Sequence, residues 1–202
     1  IVMDSNYTFK IILVGDSNAG KTSYFNRLMN YEYTEHEVST IGVDFGVFYR
    51  NINNNSVRIH LWDTAGQEKY HSLIRSYLRD GCAYIIMVDL TENHNFKSIN
   101  RWKDEIRNMN YCDHEHPILL LGNKHDLIID YNSKEYVEFA KKNNMIYHEI
   151  SAKENENIEY AFENFISQIY ISLCCKKKRC RGIRQRSPER RLSISSKKNC
   201  CY

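Results

Sequence analysis

The sequence predicts an α/β protein whose mostly parallel sheet is covered by helices on both faces. Short runs such as 9–15, 82–89 and 117–123 are apolar at nearly every position, which is typical of strands buried on both sides. Segments with apolar residues at helical spacing lie between these runs, and this alternation favours parallel strands. Right-handed crossovers then bring the carboxyl ends of the strands to one edge, where folds of this class bind ligands.

Each element follows from its own residues. Residues 43–49 and 57–62 alternate as strands around Asn53, Asn54 and Asn55, a pattern that predicts a hairpin turn. The helix at 95–110 and the last helix at 157–173 carry apolar stripes at helical spacing. The predicted strands are 9–15, 43–49, 57–62, 82–89, 117–123 and 145–150. The remaining helices follow the first strand to about residue 29 and precede the strand at 145–150.

Length and composition limit the class of protein. The chain has 202 residues, of which 42% are hydrophobic and 26% charged, so we expect one folded domain rather than a wholly disordered chain. No apolar run approaches the roughly 18–20 residues that a membrane-spanning helix needs. No secretory signal is expected at the N terminus.

The net charge of +3 conceals two parts of opposite sign. Residues 174–202 contain 11 basic residues and one acidic residue, whereas residues 1–173 contain 17 basic and 24 acidic residues. Five of the seven cysteines also lie in this tail. We therefore expect an N-terminal extension (1–6), a folded domain (7–173) and a basic, cysteine-rich tail (174–202) that is disordered because it has too little apolar surface to bury.

A phosphate-binding loop follows the first strand. Residues 15–22 read GDSNAGKT and fit G-x-x-x-x-G-K-[ST], with a strand before and a helix after. Gly15 and Gly20 let backbone N–H groups approach phosphate oxygens, Lys21 can reach the β- and γ-phosphates, and Thr22 offers Mg²⁺ a hydroxyl. A turn that binds nothing is the alternative. The loop alone does not identify the nucleotide, and a small kinase would also fit.

Two further motifs point to guanine. NKHD at 123–126 and SAK at 151–153 each follow a predicted strand, at the edge that carries the phosphate loop. The Asp126 carboxylate can accept hydrogen bonds from guanine N1–H and the exocyclic amine, a donor pair that adenine lacks. The Lys124 and Lys153 stems could flank the ring. Either motif alone is weak, and their order behind a phosphate loop strengthens both.

The motifs GDSNAGKT, STIGVDF, WDTAGQE, NKHD and SAK, in this order, resemble the small GTPases of the Ras superfamily. IGVDF at 41–45, LWDTAGQE at 61–68 and SYLRDG at 76–81 are most similar to the Rab branch. The resemblance covers about residues 7–173. It implies a six-stranded sheet with five helices, GTP and GDP binding, and slow GTP hydrolysis.

The resemblance also implies individual roles. Thr22 and Thr40 would bind Mg²⁺, Asp63 would bind it through water, Gly66 N–H would contact the γ-phosphate, and Gln67 would orient the attacking water. The residues implied in hydrolysis are Lys21, Thr40, Gly66 and Gln67. The residues implied to contact GTP or GDP are Gly15, Ser17, Asn18, Ala19, Gly20, Lys21, Thr22, Ser23, Tyr33, Thr40, Gly66, Asn123, Lys124, Asp126, Ser151, Ala152 and Lys153. Among them, Tyr33 falls where the family stacks an aromatic ring on guanine.

Regulators are implied as well. No residue of the folded domain can be assigned as an arginine finger, so a GTPase-activating protein would supply one. Rab activators commonly supply a glutamine as well, which would take over the catalytic role of Gln67. Phe45, Trp62 and Tyr77 match the aromatic triad with which Rabs contact effectors, and Ile41 adjoins it. The alternative is that these are ordinary core residues. An exchange factor and a GDP-dissociation inhibitor are the other implied partners, and the folded domain is expected to be monomeric.

The tail implies attachment to a membrane. The chain ends Cys200-Cys201-Tyr202, and C-terminal cysteine pairs in Rabs receive geranylgeranyl groups from a transferase that acts with the Rab escort protein. Two lipids beside a basic segment anchor stably, whereas one is marginal. We therefore expect the cytosolic face of a Golgi or endosomal membrane, with cycling through the cytosol. Nucleic-acid binding by KKKRCR is not favoured, because no aromatic residues are interleaved.

Three rival readings remain. CDHEH at 112–116 suggests a metal site, but no second pair of ligands has suitable spacing, so a solvated loop is preferred. The protein could be a nucleotide-binding scaffold that barely hydrolyses GTP. It could also be a P-loop kinase that uses ATP, which nucleotide competition would reveal.

Overall fold

The computed structural model describes residues 7–34, 40–66, 71–92, 95–109, 116–128, 133–175 and 183–185. The strands are β1 (Tyr7–Gly15), β2 (Val43–Ile52), β3 (Asn55–Thr64), β4 (Ala83–Asp89), β5 (Ile118–Asn123), β6 (Ile146–Glu149) and β7 (Ile183–Gln185). The α-helices are α1 (Lys21–Leu28), α2 (His71–Leu78), α3 (Phe96–Met109), α4 (Lys134–Lys142) and α5 (Ile158–Ile169). A 3₁₀ turn spans His125–Leu127, and a π-helical segment, Tyr170–Cys175, extends α5.

Strands β1 to β6 follow one another in the sheet in the order β2-β3-β1-β4-β5-β6, and β7 pairs with β1. Along this path only β2 and β3 are antiparallel, so the predicted six-stranded, mostly parallel sheet with five helices is confirmed. The hairpin turns through Asn53 and Asn54, at φ of 49° and 62°. Asparagine tolerates positive φ better than most residues, and two such residues suit a tight turn between twisted strands.

One short part of the predicted tail forms a strand. β7 pairs antiparallel with Tyr7–Phe9 of β1. Because β4 pairs with β1 only from Ile11 onward, the start of β1 offers a backbone edge to which a short strand can add. The π-helical segment after α5 ends at Cys175. Cys200 and Cys201 lie outside the described residues.

Apolar side chains form a core on each face of the sheet. Successive residues of β1 point to opposite faces, so Ile11 and Leu13 pack towards α1 and α5, whereas Ile12 and Val14 pack towards α2 and α3. All four are fully buried. This packing fixes the carboxyl ends of the parallel strands at one edge, where the loops of the predicted site begin. No helix in the described ranges is long and apolar enough to cross a membrane.

Candidate functional site

The loop between β1 and α1 adopts a backbone that requires small residues. Gly15 and Gly20 have φ of 149° and 88°. A Cβ at Gly15 would lie 2.3 Å from the Met87 carbonyl oxygen, and one at Gly20 would lie 2.1 Å from Asn123 Nδ2. Asn18 also has positive φ, at 65°. The loop leads directly into the N terminus of α1, where free backbone N–H groups and the helix dipole favour an anion.

Lys21 brings a buried cation into this loop. Its side chain is only 5% exposed, and its Nζ donates to the carbonyl oxygens of Gly15 (3.0 Å) and Asp16 (2.8 Å). Burial lowers the pKa of Lys21 to about 8, against the opposing attraction of the Asp63 and Asp16 carboxylates. An arriving phosphate would favour the charged amine, so the site is electrostatically suited to an anion.

Three oxygen-bearing side chains meet beside Lys21. The Thr22 hydroxyl donates to Asp63 Oδ2 at 2.7 Å, and its oxygen lies 2.7 Å from Thr40 Oγ1. Asp63 is fully buried at the end of β3. Hydroxyl and carboxylate oxygens are the hard donors that Mg²⁺ prefers. These three side chains therefore fit a magnesium ion bound next to phosphate.

Gly66 lies against the phosphate loop. A Cβ at this position would lie 2.5 Å from the Ser17 backbone nitrogen and 2.6 Å from the Asp16 carbonyl. Any side chain would therefore separate the segment after β3 from the loop. Gln67, the predicted water-positioning residue, lies outside the described residues. Ser23 lies in the first turn of α1, and Ser17 is exposed.

The loops after β5 and β6 are bonded to the phosphate loop and to each other. Asn123 Nδ2 donates to the Ala19 carbonyl at 2.9 Å, and Asn123 Oδ1 accepts from the Ala152 N–H at 3.0 Å. The Ser151 hydroxyl donates to Asp126 Oδ1 at 2.6 Å, which orients an otherwise exposed carboxylate. The side chain of Asn123 thus connects all three predicted nucleotide-binding loops.

Lys124 and Tyr33, two of the predicted nucleotide contacts, each have a partner within the protein. Lys124 has φ of 66°, and its Nζ forms an ion pair with Asp89 Oδ2 at 2.5 Å. Asp89 is nearly buried at the end of β4. The half-buried Tyr33 ring lies 5.4 Å from the Arg27 guanidinium. Lys153 is exposed.

Sequence reasoning missed several residues that support the site. Asp16 accepts hydrogen bonds from Ser98 Oγ (2.5 Å), Trp102 Nε1 (2.9 Å) and Arg101, so α3 holds the phosphate loop. Arg27 contacts the SAK loop, which lies more than 120 residues further along the chain. Trp102 is recognisable in the sequence only as part of an apolar stripe. No local pattern indicates these contacts, because their partners are distant in the chain.

Phe45, Trp62 and Tyr77 form a continuous aromatic patch. The Phe45 and Trp62 ring centroids are 4.6 Å apart, and those of Trp62 and Tyr77 are 5.4 Å apart. Phe45 is 43% exposed, and neighbouring Ile41 is 81% exposed. Lys10 Nζ lies 5.4 Å from the Trp62 ring and donates to the Tyr77 carbonyl, which ties the end of α2 to β1. The patch is partly open to solvent rather than enclosed in the core.

The CDHEH segment at 112–116 is described only at His116, because residues 112–115 lie outside the described ranges. Among the described side chains, no group of three or more His, Cys, Asp or Glu could hold a metal ion.

Comparisons with known proteins cover nearly the whole folded part. Residues 10–171 match the family model described as the Ras family. The chain is 36% identical over 176 residues to the Ras-related protein Rab-11C of Dictyostelium discoideum, covering 86% of this chain and 78% of the relative. It is 38% identical over 169 residues to Ras-related protein Rab-2B of the same organism, covering 83% of each. Ras-related protein Rab11B of Nicotiana tabacum is 34% identical over 175 residues, covering 86% of this chain and 80% of the relative.

Proposed function

The chain belongs to the Ras family as a Rab-type small GTPase, a switch in vesicle trafficking that hydrolyses GTP to GDP, and on this premise we propose where its nucleotide binds. The phosphates lie in the β1–α1 loop and the guanine lies between the loops after β5 and β6. The observation that carries this proposal is the Asn123 side chain, which bonds to both Ala19 and Ala152 and so holds the phosphate and base loops together.

The chemistry of each group near the proposed phosphate position determines its role. Lys21 and the N–H groups of the loop bind the β- and γ-phosphate oxygens. The Thr22 and Thr40 hydroxyls and the Asp63 carboxylate would hold Mg²⁺. When bound, Mg²⁺ neutralises charge that develops on the phosphates. The hydrogen bond that joins Thr22 to Asp63 supports a preorganised arrangement, so little reorganisation is needed at reaction.

Hydrolysis depends on positioning rather than on covalent catalysis. Gln67 orients the attacking water, while the N–H groups of Thr40 and Gly66 hold the γ-phosphate. Loss of the γ-phosphate on hydrolysis releases both segments, which makes their arrangement sensitive to the nucleotide. A GTPase-activating protein supplies the arginine. The aromatic patch of Phe45, Trp62 and Tyr77 then binds effectors in the GTP state.

The function is tested by single-turnover hydrolysis of GTP. We expect Gln67→Leu to slow phosphate release at least about tenfold, because the water loses its orientation. Gln168→Leu, the same change at an exposed position on α5, serves as the control. Equal rates for Gln67→Leu and the unaltered protein would remove Gln67 from the mechanism. ATP that competes for the site as well as GTP would favour a kinase instead.

We also propose that the tail attaches the switch to membranes. The escort protein and geranylgeranyl transferase modify Cys200 and Cys201, and the basic residues of 174–202 add attraction to anionic lipids. The GDP-dissociation inhibitor returns the lipidated protein to the cytosol, and an exchange factor reloads it with GTP. The cytosolic face of a Golgi or endosomal membrane is the proposed location.

The anchor is tested with full-length chain, prenylated by the escort protein and transferase and mixed with vesicles containing phosphatidylserine. The Cys200→Ser/Cys201→Ser form should remain in the supernatant, and each single variant should bind weakly and reversibly, because one lipid gives marginal attachment. Cys174→Ser/Cys175→Ser, which changes two other tail cysteines, should sediment like the unaltered chain. Full sedimentation of the terminal double variant would place the anchor elsewhere.

A further inference from the structure

Arg27 joins two parts of the proposed nucleotide site that are far apart in the sequence. It lies in the last turn of α1, half-buried, and its guanidinium forms a fork towards the SAK loop. Its Nε donates to the Ala152 carbonyl at 2.8 Å, and its Nη2 donates to the Lys153 carbonyl at 2.5 Å. Two parallel hydrogen bonds from a rigid, always charged group restrain the direction of a loop more strongly than a single bond does.

The restrained loop is the one expected to read the base. Asn123 holds the Ala152 N–H from one side, and Arg27 holds the Ala152 carbonyl from the other. Ser151, the preceding residue, is bonded to Asp126. Both the N–H and the carbonyl of Ala152 are therefore hydrogen-bonded to side chains. Loss of either hydrogen bond would let this loop move relative to Asp126.

The same guanidinium also contacts Tyr33, in the segment between α1 and β2. Its carbon lies 5.4 Å from the centroid of the Tyr33 ring, within the range of a cation–π contact. Tyr33 is the residue proposed to stack on guanine. Arg27 therefore contacts the SAK loop and Tyr33 together, although neither contact requires it to touch the nucleotide.

We propose that Arg27 is a positioning residue that sets how long GDP and GTP stay bound. It does so by clamping the SAK loop to Tyr33 around the base. The proposal rests on the guanine site proposed above. Loss of the clamp accelerates nucleotide release without altering the chemistry of hydrolysis. The described interactions of Arg27 involve neither Lys21 nor the Thr22, Thr40 and Asp63 side chains.

Release of fluorescent N-methylanthraniloyl-GDP from the full chain, chased with excess GDP, tests this clamp. Arg27→Lys keeps the charge and loses the fork, and it should release nucleotide about tenfold faster. Arg27→Gln should be faster still. Arg107→Lys, an identical change at an exposed position on α3, should match the unaltered protein. Single-turnover hydrolysis of preloaded GTP by Arg27→Lys should stay within about twofold of the parent rate.

Two results would overturn the clamp. One is an unchanged release rate in Arg27→Lys; the other is faster release accompanied by an equal loss of hydrolysis rate, which indicates general damage. In a Tyr33→Leu background the effect of Arg27→Lys should shrink, since one side of the clamp is already missing, and full additivity would count against the proposal. If the unaltered chain fails to retain GDP at all, the guanine site itself is wrong, which separates the two failures.

Discussion

Asp126→Asn should reduce affinity for GDP at least about a hundredfold and create affinity for xanthosine diphosphate. The carboxylate is an acceptor held in place by Ser151, and guanine offers two donors to it. An asparagine amide would place its own donor against a guanine donor, whereas the 2-carbonyl of xanthine can accept from it. Selectivity is large in such cases because the wrong base leaves buried polar groups unpaired.

Competition among GDP, xanthosine diphosphate and ADP for the site measures this change in base preference. Asp104→Asn removes the same charge from an exposed position on α3 and should leave the selectivity unchanged. Retention of guanine preference by Asp126→Asn would show that another group reads the base. Gain of adenine binding would likewise contradict the role given to Asp126.

Gly20→Ala should abolish tight nucleotide binding and destabilise the fold. Gly20 has φ of 88°, where a side chain costs about 1–2 kcal/mol. The new Cβ would fall 2.1 Å from Asn123 Nδ2 and displace the amide from Ala19 and Ala152. With about 1 kcal/mol for each hydrogen bond lost, the free energy of unfolding should fall by about 3–4 kcal/mol.

Thermal unfolding and equilibrium binding of GDP measure the two effects of Gly20→Ala separately. Gly46→Ala is the matched control, since its Cβ would meet the Met29 and Phe25 side chains at 2.7–3.0 Å. It should lower stability and leave GDP affinity within about threefold. A Gly20→Ala protein that binds GDP as tightly as the parent would mean that Asn123 does not connect the loops in solution.

The strands and helices were predictable because their signals are local. The hairpin at Asn53 and Asn54, the buried strand at 118–123 and the amphipathic helix α3 each follow from neighbouring residues. β7 was not predictable in the same way. Its three residues are a strand only because the first residues of β1 leave an unpaired edge, a consequence of where β4 begins.

Some residues of the site were likewise predictable from local motifs, and other features of the site were not. Lys21, Thr22 and Asp126 are identifiable from motifs, because phosphate, magnesium and guanine each demand particular groups in a fixed order. The burial that lowers the pKa of Lys21 is not identifiable from a motif, since it depends on the other elements that pack around the amine. The Lys124–Asp89 ion pair likewise joins the ends of two strands that are neighbours only in the sheet.

The fold class, the order of the elements and the kind of ligand follow from the sequence, since periodicity and motif spacing are properties of short segments. The side chains that hold those motifs together are identified only in the folded protein. Asn123 bridges the phosphate and SAK loops, Asp16 is bound by α3, and Arg27 bonds to a loop more than 120 residues away. A hydrogen bond requires its donor and acceptor to lie about 3 Å apart in space, and residues far apart in the sequence reach that distance only when the sheet has formed.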